Sequence, residues 1–240
     1  MTISADKLKD FFKYYDEGNG SHERSIELLH EDLITSAPRL LEDSSGWISQ
    51  YREKPPIEEA PAGSGSANPL AVPYDCQLDN PGTEGWRECF SSSCAMVAMY
   101  WGVIHHQDEY HQVRPRFGDS TEVTSQIRTL QHFGLNARFV QVGSKEKLKA
   151  QIDRGRPAPV GFLHHGTASN PTGGGHYVVC IGYDDEGFIF NDPYGELNVA
   201  GGGYPDPGPY GKAVTYSYKN WLPRWSVSNS DDGWGLDVWK

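Results

Sequence analysis

The chain has 240 residues, 37% hydrophobic and 12% aromatic, enough to bury the core of one medium domain with a small appendage. Its formal net charge of -11 argues against nucleic acid as the main partner, because phosphate binding needs clustered Lys and Arg, and equally against adhesion to an anionic membrane surface. Four cysteines, at 76, 89, 94 and 180, make neither a dense disulfide framework nor a Cys-x-x-Cys zinc pair, so reduced thiols are expected and neither a metal nor another cofactor.

In residues 1–53, Leu8, Phe11, Phe12 and Tyr15 recur at helical spacing. A second helix follows from Ser21 through Arg24 to Leu33, and a turn at Pro38 precedes a short third segment around Trp47. A small helical accessory domain is expected there. Residues 54–69, KPPIEEAPAGSGSANP, have almost nothing to bury and read as a linker. No apolar run approaches the roughly 18 residues of a membrane span, so no membrane insertion is expected. The start, MTISADKLKDFFKYYDEG, lacks the charged and apolar halves of a signal peptide, which predicts synthesis in a cytoplasm and assisted export.

Residues 70–240 read as one α+β domain. Helices are predicted over 91–101, over 121–133 with Val123, Ile127 and Leu130 on one face, and over 144–154 with Ser144 as cap and Gly155 as stop. Strands are predicted at 135–142, 157–165, 176–183 and 187–192, the last two joined by an Asp-Asp-Glu-Gly turn. The Gly- and Pro-rich stretches 166–175 and 201–211 read as surface loops. His105, His106, Asp108, Glu109 and His111 have no supporting cysteine or register for a metal and read as a solvated turn.

The stretch ECFSSSCAMVAMYWG, residues 88 to 102, carries two cysteines. A nucleophilic thiol gains from unpaired N–H groups at a helix N-terminus. Cys89 lies where the helix begins, followed by Ser91, Ser92 and Ser93, three capping residues that leave space for a substrate. Cys94 shares a stripe with Val97, Ala98 and Trp101, the pattern of a buried face. A thiol also needs a base and a group that orients the base. His176 is placed at a strand start after three glycines, and Asp192 ends the next strand, so hairpin pairing brings the two together.

VPYDCQ (72–77), CFSSSCAMVAMYWG (89–102), FGDSTEVTSQIRTLQHFG (117–134), KLKAQIDRGRPAPVG (147–161) and GGHYVVCIGYDDEGFIFNDPYG (174–195) resemble, in order, the blocks of the bacteriocin-processing branch of papain-fold cysteine peptidases. The resemblance implies a papain-like α+β fold with Cys89 as nucleophile, His176 as base, Asp192 as its orienting group and Gln77 as oxyanion donor. An oxyanion does need a preorganised donor. Phe90-Ser91 replaces the family's Gly-Pro, which leaves the oxyanion turn and the S1-side wall open. The helical segment, linker and peptidase order is similar to phage and bacterial lysins. That similarity implies a peptidoglycan hydrolase acting on the stem peptide, phage-encoded and released to the wall through a holin. A peptidase or acyl transferase with a soluble peptide substrate, and a non-catalytic binding module, are the alternatives.

Overall fold

The computed structural model describes residues 68–82 and 84–240. The helices expected over 1–53, and the linker expected over 54–69 apart from its last two residues, lie outside the described residues. Among the described residues no helix is long and apolar enough to cross a membrane.

Two short 3-10 turns, Gln77–Asp79 and Gly85–Arg87, lead into α1, Cys89–Tyr100. The helix begins two residues earlier than expected, and its residues from Phe90 to Ala98 are all buried, not only one stripe. A helix without a solvent face belongs to the core. The serines do not act as caps. Ser91 Oγ accepts from Gln126 Nε2 at 3.0 Å and Ser92 Oγ from Asn80 Nδ2 at 2.9 Å, all three serines are fully buried, and the N-cap position falls to Glu88. The Ser91 and Ser92 hydroxyls satisfy side chains from neighbouring elements, and with all three serines buried none is open to a substrate.

The histidine-rich segment read as a solvated turn is helix α2, Gln107–Val113. His106 Nδ1 accepts from the Asp108 N–H at 3.2 Å, while Glu109 Oε1 accepts from the N–H groups of His105 and His106 at 2.7 and 3.0 Å. This is a capping box with histidine in the usual serine position. Tyr110 and His111 are buried on its inner side. Helices α3, Val123–His132, and α4, Lys145–Asp153, and the intervening strand β1, Asn136–Gly143, fall close to their predicted spans. The Ser144 side chain caps α4 by accepting from the Lys147 N–H.

The sheet has six antiparallel strands in the order β1-β6-β2-β3-β4-β5, where β2 is Ala158–Thr167, β3 Asn170–Tyr183, β4 Gly187–Asn191, β5 Val214–Ser217 and β6 Gly233–Trp239. The 166–175 segment is not a loop. Pairs His165↔Thr172, Gly166↔Pro171 and Thr167↔Asn170 extend the β2–β3 hairpin to a two-residue turn, with a register shift between Leu163 and His165. The β3–β4 turn is built by Asp184, whose Oδ1 accepts from the N–H groups of Glu186 and Gly187, both at 2.8 Å.

The C-terminal segment, for which the sequence predicts no element, supplies β5, helix α5 (Tyr218–Trp225) and β6. β6 enters between β1 and β2, and Trp234 lies across Gly161, where any Cβ would run into its indole. Trp221 of α5 is fully buried among Phe162, Phe188 and Phe190, with ring centroids 4.7 to 6.1 Å away, and stacks on Trp225. Burying a side chain of that size contributes about 2–3 kcal/mol over leaving it exposed. The described residues therefore form an α+β fold in which α1 packs on β2 and β3, the strand pair that carries His176.

Candidate active site

Cys89 is the first residue of α1 and the one half-buried cysteine among four free thiols; Cys76, Cys94 and Cys180 are buried. Burial raises the thiols of Cys94 and Cys180 far above the ordinary cysteine range, and Cys76 is raised for the same reason. The turn before Cys89 is held by Glu88. Its carboxylate accepts from Asn80 Nδ2 and from an Arg114 guanidinium nitrogen, each at 2.9 Å, and lies 3.2 Å from His111 Nδ1. Burial pushes the Glu88 carboxyl up, but His111, Asn80 and Arg114 outweigh that and hold it below its ordinary value. Arg87 adds a bidentate pair to Asp119 at 2.9 and 3.1 Å.

His176 is not at a strand start. It sits within β3, paired with Phe162 and packed edge-on against its ring at 5.7 Å, and is almost fully buried. Its Nε2 lies 2.8 Å from Asp192 Oδ1, and the Cys89 sulfur is near enough to act on the charge of the ring. With Nε2 turned to the carboxylate, Nδ1 is the nitrogen left for sulfur. Burial lowers the His176 pKa, but the Asp192 carboxylate and the Cys89 sulfur overcome this and raise it to about 10. Cys89 at the start of α1, His176 within β3 and Asp192 just past β4 are thus brought to one site.

Asp192 is fully buried and accepts four hydrogen bonds. Oδ1 takes His176 and the Tyr194 N–H at 3.0 Å, and Oδ2 takes the hydroxyls of Tyr204 at 2.8 Å and Tyr216 at 2.9 Å. Its backbone is clamped as well. The Asp192 N–H donates to the Gly211 carbonyl at 2.8 Å, and the Tyr74 hydroxyl donates to the Asp192 carbonyl at 3.1 Å while accepting from the Gly211 N–H at 3.3 Å. A Cβ on Gly211 would run into the Asp192 carbonyl. Gly211→Ala is therefore expected to lose about 1–3 kcal/mol of stability, read from thermal melts, and to displace Asp192.

Gln77 lies on the first 3-10 turn, buried, and its Nε2 donates to the Gly85 carbonyl at 2.7 Å, so one amide hydrogen engages protein and the other is not used by it. The Gln77 N–H donates to the carbonyl of Pro193, next to Asp192. Phe90 points inward: its ring stacks on Tyr177 with centroids 3.6 Å apart, and Ser91 is buried beside Gln126, so neither side chain adds a wall to the cleft.

The sequence carries no sign that Glu88, Tyr74, Tyr204 or Tyr216 supports the site. A tyrosine 12 or 24 positions from its carboxylate has no periodic signal to betray it. His164 is partly buried 5.8 Å from the His176 ring, with its Nδ1 unpartnered. Burial, His176 and His165 lower its pKa from 6.5 to about 4. Between pH 6.5 and about 4 the unfolded chain takes up a proton that folded His164 refuses, so stability falls as pH is lowered through that window. His176 acts at the other end: its contribution is full below pH 6.5 and is lost as pH rises to about 10. Thermal melts of His164→Gln should lose the first dependence and keep the second.

A model of the Peptidase_C39 like family matches residues 69–204, more than half of the 240 residues and all four of Gln77, Cys89, His176 and Asp192. No match was found among curated proteins. Among solved structures, a putative C39-like peptidase from Bacillus anthracis superposes with a TM-score of 0.50 at 16% identity, over 73% of this chain and 98% of that one. A double glycine motif protease from an AMS/PCAT transporter, in complex with its leader peptide, gives a TM-score of 0.45 at 18% identity, over 71% of this chain and 93% of that one. The peptidase domain of Streptococcus ComA gives 0.45 at 17%, over 66% and 95%. With a papain-type α+β fold and a family match that spans the thiol, the imidazole and the carboxylate, the chain belongs to the Peptidase_C39 like family and is a cysteine peptidase.

Proposed function

We propose that this cysteine peptidase cleaves an amide bond with Cys89 as nucleophile, and that its substrate is the peptide part of the bacterial cell wall. The observation that carries the chemistry is the 2.8 Å hydrogen bond between buried His176 and Asp192, with the Cys89 sulfur beside the same imidazole. Cys89 sulfur attacks the scissile carbonyl as the thiolate, its proton held by His176. The developing oxyanion is met by the Cys89 N–H at the start of α1 and by the amide hydrogen of Gln77 that the protein does not use. His176 then protonates the leaving amine, and a water activated by the same imidazole releases the acyl group. Asp192 keeps Nε2 occupied, so that Nδ1 remains the working nitrogen.

The order of a helix-patterned segment, a Pro- and Gly-rich stretch and a peptidase domain supports a lysin, encoded by a phage and released to the wall by a holin. Incubating the full chain with purified peptidoglycan tests the substrate. The expected result is loss of turbidity with new free amino groups and no new reducing sugar ends. New reducing ends, or intact walls alongside cleavage of a soluble peptide, would sink the wall reading.

A further inference from the structure

Asp192 is supported on both oxygens, and the two tyrosines that hold Oδ2 are not equivalent. Tyr216 belongs to β5, is buried in the core, and its hydroxyl also accepts from the Leu197 N–H at 2.8 Å, so it ties three pieces of chain together. Tyr204 reaches Asp192 from the glycine-rich stretch, and its ring lies 5.2 Å from His176 and 5.0 Å from Tyr194. A phenylalanine would satisfy that ring packing equally well. What only tyrosine adds is the hydroxyl at 2.8 Å from the carboxylate.

We propose that the Tyr204 hydroxyl is a positioning group for catalysis, which with Tyr216 fixes Asp192 Oδ2 so that Oδ1 stays aligned on His176. A carboxylate has about four acceptor sites, and the four donors here fill them, so rotation of Asp192 would break at least one bond whichever way it turned. The donors on Oδ2 are neutral, and this matters. A cation there would compete with the His176 imidazolium for the same charge, whereas two hydroxyls stabilise the anion without neutralising it. Burial and the Asp192 carboxylate both push these phenols well above the ordinary tyrosine range, so they remain O–H donors at any working pH.

The segment that presents Tyr204 is also fixed to the strands that present His176. The Gly203 N–H donates to the His164 carbonyl at 2.7 Å. Arg224 of α5, fully buried, donates from Nε to the Val199 carbonyl at 2.8 Å and from its terminal nitrogens to the carbonyls of Leu163, His165 and Gly166 at 2.7 to 3.0 Å. It thereby joins the stretch before Tyr204 to the end of β2. Hydroxyl and imidazole are consequently held in one frame, which is what alignment of the dyad requires.

The proposal rests on the assignment of Cys89, His176 and Asp192 as the reacting groups, and its test separates the two. In the full chain, Tyr204→Phe keeps the ring and removes only the hydroxyl. Two readouts that do not depend on the substrate are the nitrogen-edited proton resonance of the His176 ring N–H and the rate of Cys89 alkylation by iodoacetamide, followed by mass spectrometry. The expected result is a displaced or broadened His176 resonance and alkylation slowed about tenfold, the effect of one charge-assisted hydrogen bond. A wild-type resonance and rate in Tyr204→Phe would overturn the proposal while leaving the site assignment intact. Failure of the unsubstituted chain to show selective labelling of Cys89 would overturn the assignment, and the proposal with it. If Tyr204→Phe melts early, 3-fluorotyrosine at 204 keeps ring and donor but makes the hydroxyl more acidic; the His176 resonance should still move, and an unmoved one overturns the proposal.

Discussion

Cys89→Ala is expected to abolish cleavage, with a loss of at least about 10³-fold, and to leave the fold standing. The thiol is half-buried at the start of α1, and its removal takes away the attacking atom while leaving a methyl in a position open to the cleft. Cys94→Ala should behave in the opposite way. Cys94 is fully buried and belongs to the packed interior of α1, so its loss should cost about 1–2 kcal/mol of stability and leave the nucleophile in place. Measuring turnover and melting temperature for both variants separates chemistry from packing. Loss of turnover in Cys94→Ala with retention in Cys89→Ala would reverse the assignment.

Asp192→Asn is the second large effect, roughly 10²- to 10⁴-fold in turnover. The amide can still accept on one oxygen, and the tyrosine hydroxyls can turn to meet its nitrogen, so much of the geometry survives. The charge does not survive. Without it the Asp192 contribution that raises His176 to about 10 is gone, the imidazolium is less favoured, and burial is free to pull its pKa down. A second signature follows by linkage. The stability that His176 contributes below pH 6.5 and loses towards pH 10 should shrink, so melting curves of Asp192→Asn should fall less steeply with rising pH than those of the wild type.

The parts of the fold readable in the sequence are those with local signals. α3 and α4 announce themselves through apolar spacing and the Ser144 cap, and β3–β4 through the Asp184 turn. The same hairpin logic brings His176 near Asp192, although the pairing that closes at Tyr183↔Phe188 reaches Val179↔Asn191 only through a one-residue register shift between Cys180 and Gly182, which the sequence does not announce. What stayed hidden depends on distant partners. β6 pairs with β1 and β2, far back in the chain, and its glycines make room for neighbouring backbone and indole rings instead of marking a turn. The β2–β3 arms were masked by Gly and Pro, residues that here occupy paired positions around a bulge. α2 was masked because histidine is an unusual cap, although Glu109 three residues on is the ordinary second half of that box. The tyrosines on Asp192 illustrate the general limit: a second layer of support is assembled by the tertiary fold and leaves no spacing to read.

The most direct test of the central claim is alkylation of the folded chain with iodoacetamide at pH 6, with each cysteine quantified by mass spectrometry. Cys89 is the half-buried thiol and the one beside His176, while burial holds Cys76, Cys94 and Cys180 in the unreactive form. The account predicts modification of Cys89 well ahead of the other three, and loss of that preference in His176→Ala. Equal labelling of Cys89 and Cys94, or a Cys89 rate unchanged in His176→Ala, would contradict it.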